Sequence, residues 1–183
     1  MKKSVSIRFY EELNDFLGAP KRKKEFKASL TGASSVQDLI KSLGVPPAEV
    51  DLILVNGQSV SFAYTPQNGD RISVFPVFET FDISKITKLR PKSLRNPKFI
   101  LDADLRELAE IMRIFGFDTV CRTDYKKHDI VDLSSMENRT ILTRNRELLL
   151  SKEVARGYLV KHTNPARQFN EVINHFDLKL SQQ

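Results

Sequence analysis

The sequence has a single cysteine, Cys121. One thiol excludes an internal disulfide and any zinc cluster built from the chain's own thiolates, and it leaves Cys121 to pack in a buried strand. Long apolar runs are missing too. None approaches the roughly 18 residues that cross a bilayer, and the opening MKKSVSIRFYEELNDF turns polar too early for a signal peptide. No membrane partner and a cytoplasmic location are therefore expected. Internal repeats and low-complexity tracts are absent. The three histidines, His128, His162 and His175, lack metal spacing such as HExxH and are expected at the surface or in packing. Acids are missing from one segment in particular. Lys85, Lys88, Arg90, Lys92, Arg95 and Lys98 follow one another with no Asp or Glu between them. Setting these six aside leaves 23 of the 29 Lys and Arg, equal to the 23 Asp and Glu, so the whole net charge of +6 sits formally in that stretch. Such a concentration suits a polyanion, and a solvated interdomain linker gives the same pattern.

What is present supports folded structure. A hydrophobic content of 40% over 183 residues allows one large domain or two modest ones. Ser4 to Phe9 alternates like a half-buried strand, and Lys21 to Lys24 marks a hairpin-like turn before a second strand, Glu25 to Leu30. Ser34-Ser35 followed by Val36, Leu39, Ile40 and Leu43, closing at Gly44, predicts a capped amphipathic helix. Strand Asp51 to Val55, the tight turn Asn56-Gly57, a short strand near Val60 and strand Arg71 to Val77 complete a small α+β sheet over residues 1–80. The basic segment 81–96 has no sustained apolar period and is expected to connect two domains.

From Pro97 onward strands and helices alternate: Phe99 to Leu101, helix Leu105 to Phe115, strand Thr119 to Arg122, helix Ile130 to Met136, strand Thr140 to Thr143, helix Arg146 to Lys152, strand Tyr158 to Lys161, helix Pro165 to Phe176. This alternation predicts an α/β domain over 97–183, a parallel sheet with helices on both faces. Ligands in such sheets gather outside the carboxyl ends of the strands. The residues delivered there are Asp102 and Asp104, then Asp124 and Asp129, then Thr143, Arg144 and Asn145. Converging carboxylates repel unless protonated or neutralised by a cation, and oxygen ligands suit Mg²⁺ or Mn²⁺. Each residue also has a plain structural role open to it. Asp104, Asp129 and Asn145 could each cap the helix that follows, and Thr143 could be an ordinary strand-end threonine.

Two stretches carry family resemblances. SVQDLIKSLGVPPAEVDLILVNGQSV with the later NGDRISVFPVF resembles the ubiquitin-like β-grasp fold of sulfur carriers. Those act through a terminal glycine pair, whereas this chain runs on through PVFETFDISKI, so a docking, folding or RNA-guiding role is expected instead. PKFILDADLRELAEIMRIFGFDT, NRTILTRNRELLL and YLVKHTNPARQFNEVINHFDL resemble the Mut-seven C-terminal RNase family, a branch of the PIN-domain nucleases. The resemblance implies metal-dependent hydrolysis of RNA. Asp102 takes the place of the strand-exit acid common to PIN domains, Asp129 falls where a second acid begins a helix, and Asn145 stands where the family usually has Asp. A zinc ribbon commonly follows in the family; up to Gln183 there is none, so either the protein lacks it or the chain continues beyond this residue.

The expected protein is thus a β-grasp domain, a basic linker and a PIN-like RNase domain. Asp102, Asp129 and Asn145 are its catalytic candidates, and Asp102, Asp129 and Asp104 the candidate ligands of Mg²⁺ or Mn²⁺. Lys92, Arg95, Lys98, Thr143 and Arg144 are expected to contact RNA. A noncatalytic RNA-binding or protein-docking module with a degenerate site is the alternative. A homodimer and a protein partner for the β-grasp domain are also open.

Overall fold

A computed structural model describes residues 3–76, 87–89 and 97–180. The chain divides into two compact units, Met1–Ser93 and Leu94–Gln183. In the first, β1 (Ser4–Phe9) and β2 (Phe26–Ser29) pair antiparallel, α1 (Val36–Ser42) follows, then β3 (Val50–Val55), β4 (Gln58–Ser59) and β5 (Arg71–Pro76). The strand order is β2-β1-β5-β3-β4, with β1 and β5 running parallel at the centre. This mixed sheet crossed by one helix is the β-grasp arrangement.

Local chemistry explains the elements. Ser35 Oγ accepts the Asp38 amide at 3.1 Å and so caps α1, while the 3.6 period turns Val36, Leu39 and Ile40 onto the sheet. The alternating residues Val5, Ile7 and Phe9 meet them from β1, with Ile72 and Val74 from β5. Asn56 and Gly57 both adopt positive φ, 50° and 83°, which gives the tight turn from β3 to β4 a twist that suits paired strands. The β1–β2 connection turns at Lys21 to Lys24 as expected and carries further structure ahead of that turn. It folds as two 3-10 turns, Glu11–Phe16 and Ala19–Lys21, because Leu13 and Leu17 are apolar enough to be buried in the core.

The second unit contains β6 (Lys98–Leu101), a 3-10 turn (Ala103–Leu105), α2 (Arg106–Ile114), β7 (Thr119–Cys121), α3 (Lys127–Glu137), β8 (Arg139–Thr143), α4 (Arg146–Leu149), β9 (Gly157–Leu159) and α5 (Pro165–His175). All four strands are parallel, in the order β7-β6-β8-β9. One face packs Phe99 and Leu101 against α2 and α5 through Leu108, Met112, Phe169 and Val172. Ile130, Val131, Leu148 and Leu149 of α3 and α4 are buried as well. β8, at the centre, is buried at all five positions. Among the described residues no helix is long and apolar enough to cross a membrane.

Candidate functional site at the carboxyl edge of the parallel sheet

Parallel pairing fixes what can meet. Leu101 and Leu142 are register partners, so Asp102 and Thr143 leave adjacent strands side by side. Thr143 is fully buried, and its hydroxyl donates to Asp102 Oδ2 while accepting the Asn145 amide at 2.9 Å. The Cys121 thiol, at the end of β7, lies 3.4 Å from the Asp102 carbonyl oxygen, to which it donates. Asp102 is thus held from both neighbouring strands.

Its carboxylate is poorly compensated. Oδ1 is buried without a well-formed hydrogen bond among the described residues. Burial pushes the Asp102 carboxyl above its ordinary range and the charge of Asp104 adds to this, while the Thr143 hydroxyl, the Asp104 amide and the Arg144 guanidinium pull the other way. Leaving a buried charged acceptor unmatched is expensive, and a cation beside Oδ1 would remove that expense. Mg²⁺ commonly takes one or two carboxylates and keeps several waters. Asp102 and Asp104, two residues apart at the exit of β6, are the carboxylates that could supply that number. They do not form a closed acidic cage: among the described residues, no group of three or more His, Cys, Asp or Glu is placed to hold a metal.

The other sequence candidates divide. Asn145 caps α4, its side chain accepting the Glu147 amide at 3.0 Å. Asp129 does not join Asp102 and Asp104 in a ligand group; its carboxylate accepts the Lys126 amide at 2.8 Å and lies 3.3 Å from His128 Nε2. The reason is local: α3 begins at Lys127, three residues earlier than its apolar pattern suggests, so Asp129 falls in the first turn and closes a capping box. Asp104 sits inside the 3-10 turn, and no side chain caps α2. Asp124 is held in an exposed fork by Arg122 at 3.1 and 3.0 Å. Lys98 begins β6 and approaches Asp118 at 3.9 Å. A strand of that length spans roughly 13 Å, which puts Lys98 at the opposite end of the sheet from Asp102. Lys92 and Arg95 lie outside the described residues.

A further wall of the site went unread in the sequence. Val160 donates its amide to the Thr143 carbonyl at 2.9 Å, so the chain leaving β9 emerges at the same edge. There Glu171 of α5, its side chain 8% exposed, accepts the Lys161 amide at 2.8 Å, the His162 amide at 3.1 Å and the Tyr158 hydroxyl at 2.9 Å. It also meets His162 Nδ1 at 2.8 Å. Burial works against the ionised Glu171, yet these partners hold its carboxyl below the usual range. Gln168 Nε2 donates to the His162 carbonyl at 2.9 Å. The loop so fixed faces the 3-10 turn across a cleft of about 590 Å³, lined by Asp104, Arg106, Arg144, Thr163, Asn164 and Gln168 among others. The strand-exit rule, applied to β9 as to the other three strands, points to the loop from Lys161 to Asn164 but not to Glu171.

A half-buried strand-exit acid, an adjoining hydroxyl and, nearby, a cleft with two guanidiniums thus stand at this edge of the sheet, and the family comparison gives the unit a nuclease-type domain. Residues 97–183 match the Mut7-C RNAse domain, and residues 2–82 match Mut7-C ubiquitin. The two matches fall one in each of the chain's two units. Two crystal structures of small archaeal modifier protein 1 (SAMP1) from Haloferax volcanii are similar to the chain. They are 15% and 16% identical over 42% and 43% of this chain and 99% of theirs, each with a TM-score of 0.32. No curated protein matches the chain.

Proposed function

We propose that the C-terminal unit hydrolyses RNA phosphodiesters with a divalent cation, Mg²⁺ or Mn²⁺, and that Asp102 is its central residue. The observation that carries this is the half-buried Asp102 carboxylate, tied through Oδ2 to Thr143 and left unmatched at its buried Oδ1. Asp102 would hold the ion, with Asp104 beside it. When bound, such an ion eases deprotonation of a water and offsets charge growing on the phosphoryl group. Thr143 fixes the rotamer of Asp102 and keeps its oxygen aimed, and the Asn145 amide fixes Thr143 in turn. Arg144, in the cleft beside Asp104, would bind a nonbridging phosphate oxygen. Phosphate contacts of this kind give affinity without sequence choice and weaken with salt. The test is incubation of RNA with the protein in Mg²⁺ or Mn²⁺ and in EDTA. Product only with divalent cation is expected, and equal product in EDTA overturns the proposal.

A second reading has its own observation. Asn145 replaces a carboxylate expected from the resemblance, and no three acids converge among the described residues. A noncatalytic RNA-binding module would bind RNA in a salt-sensitive way that divalent cations leave unchanged, with no turnover.

A further inference from the structure

We propose that the cleft between the 3-10 turn Ala103–Leu105 and the loop after β9 binds one unpaired nucleotide of an RNA strand. Arg106 and Arg144 would take its phosphates, and Thr163, Asn164 and Gln168 would line its ribose and base. The proposal deepens the reading of this unit as a ribonuclease and rests on it.

The cleft has the right size and chemistry. Its volume of about 590 Å³ falls in the range of roughly 300–1,000 Å³ that holds small ligands, which suits one nucleotide. The two guanidiniums are available. Among the described residues Arg144 makes no ion pair, and Arg106 has only the exposed i,i+4 partner Glu110 at 3.7 Å. An exposed pair of that kind is weak and is easily given up for a phosphate, which guanidinium binds in bidentate fashion. The opposite wall is neutral and carries hydroxyl and amide groups. Gln168 is 3% exposed, and its amide is oriented by the bond to the His162 carbonyl. Donors and acceptors held in this way read ribose hydroxyls and unpaired base edges, the features that single-stranded RNA presents.

The composition of the cleft also limits how it binds. Asp104 and Glu107 share the lining with Arg106 and Arg144, so the cleft is formally neutral and gains little from net field. None of its lining residues is aromatic, so the base stacking that gives many single-strand sites their affinity is missing. Recognition then depends on the two guanidinium–phosphate contacts. Each contact releases counterions, which contributes about 0.7 to the slope of log affinity against log salt for a single strand.

The experiment measures binding of a short fluorescent single-stranded RNA across a salt series in EDTA, where the ion the proposed hydrolysis needs is withheld. It compares the whole protein with Arg106→Ala, Arg144→Ala and Thr163→Val, with Lys152→Ala as an exposed charge control outside the cleft. Cleavage by the same proteins in Mg²⁺ is followed separately. Each arginine variant should weaken binding about threefold to tenfold and lower the salt slope by about 0.7. Thr163→Val should weaken binding without moving the slope, and the control should change neither. A matching RNA duplex should bind no better than it does to Arg106→Ala. Unchanged slopes in both arginine variants, or a preference for duplex, overturn the cleft assignment even if the wild type cleaves RNA. Absence of cleavage with the slopes reduced as expected overturns the nuclease reading and leaves the nucleotide site standing.

Discussion

Replacing Asp102 with Asn should abolish activity and yet stabilise the fold. In the wild type, a carboxylate charge sits among buried groups with Oδ1 unmatched, and an unsatisfied buried charged acceptor costs about 1–3 kcal/mol or more. Asn keeps the shape and can still accept from Thr143. It removes the charge but buries an amide N–H₂ at the same place, which returns part of the gain. A net stabilisation of about 1 kcal/mol is expected, or a rise in melting temperature of about 4–8 °C for a domain of this size. The folded carboxyl titrates above its ordinary value of 3.8, so the penalty is absent below the unfolded value and complete above the folded one. The gap between variant and wild type should therefore be largest at neutral pH and close on acidification. Mg²⁺ at ten times its dissociation constant should add about 1.4 kcal/mol to the wild type and nothing to the variant. Calorimetry in EDTA, at pH 7 and in acid, and again with Mg²⁺, reads all three. A variant that melts below the wild type in EDTA at pH 7 would show that Asp102 is an ordinary structural acceptor, and the reasoning would fail.

Asn145→Asp keeps the cap on α4 and adds a carboxylate next to the Thr143–Asp102 pair, so the Mg²⁺ concentration giving half-maximal RNA cleavage should fall several-fold; an unchanged midpoint would contradict this. His175 stacks on Tyr158 with centroids 3.8 Å apart, and burial, helped by Lys161 and opposed by Glu171, lowers its pKa to about 4. The unfolded chain gains this proton near pH 6.5 and the native state only near 4, so stability should drop by up to about 3 kcal/mol over that window. Urea midpoints of His175→Phe should be flatter there, and equal slopes for both proteins would refute the assignment. Arg139, 7% exposed, donates to the Phe99 carbonyl at 3.2 Å and pairs with Asp118 and Glu137, each at 2.7 Å. Because both acids are near half exposed, Arg139→Met should cost about 2–3 kcal/mol, short of a fully buried pair, and a urea shift worth less than about 0.5 kcal/mol would argue against it.

The two folds were legible in the sequence because periodicity and turn chemistry agree with tertiary packing in both units. Val36, Leu39 and Ile40 face the sheet as their spacing implies, and Phe99-Ile100-Leu101 is buried on both faces as a parallel strand should be. Legibility fails where a polar residue does a buried job. Arg139 reads as a loop residue before an apolar run, yet its guanidinium fills a gap between three chain segments. Asp129 reads either as a strand-exit ligand or as a helix cap, and the start of α3 at Lys127 gives it a capping bond to the Lys126 amide. Lys98 is close to Asp102 in sequence and remote from it in space, because an extended strand lies between them. Glu171 carries no local signal at all. Its role depends on α5 lying against the exit of β9, which only the tertiary structure shows.

The central claim is that the Asp102 carboxylate serves hydrolysis of RNA. Single-turnover cleavage of a labelled single-stranded RNA in saturating Mg²⁺, by the wild type and by Asp102→Asn at equal folded concentration, tests it most directly. Product is expected from the wild type and a rate at least about 100-fold lower from the variant, in keeping with loss of a principal group that stabilises transition-state charge. Equal rates for the two proteins would contradict it.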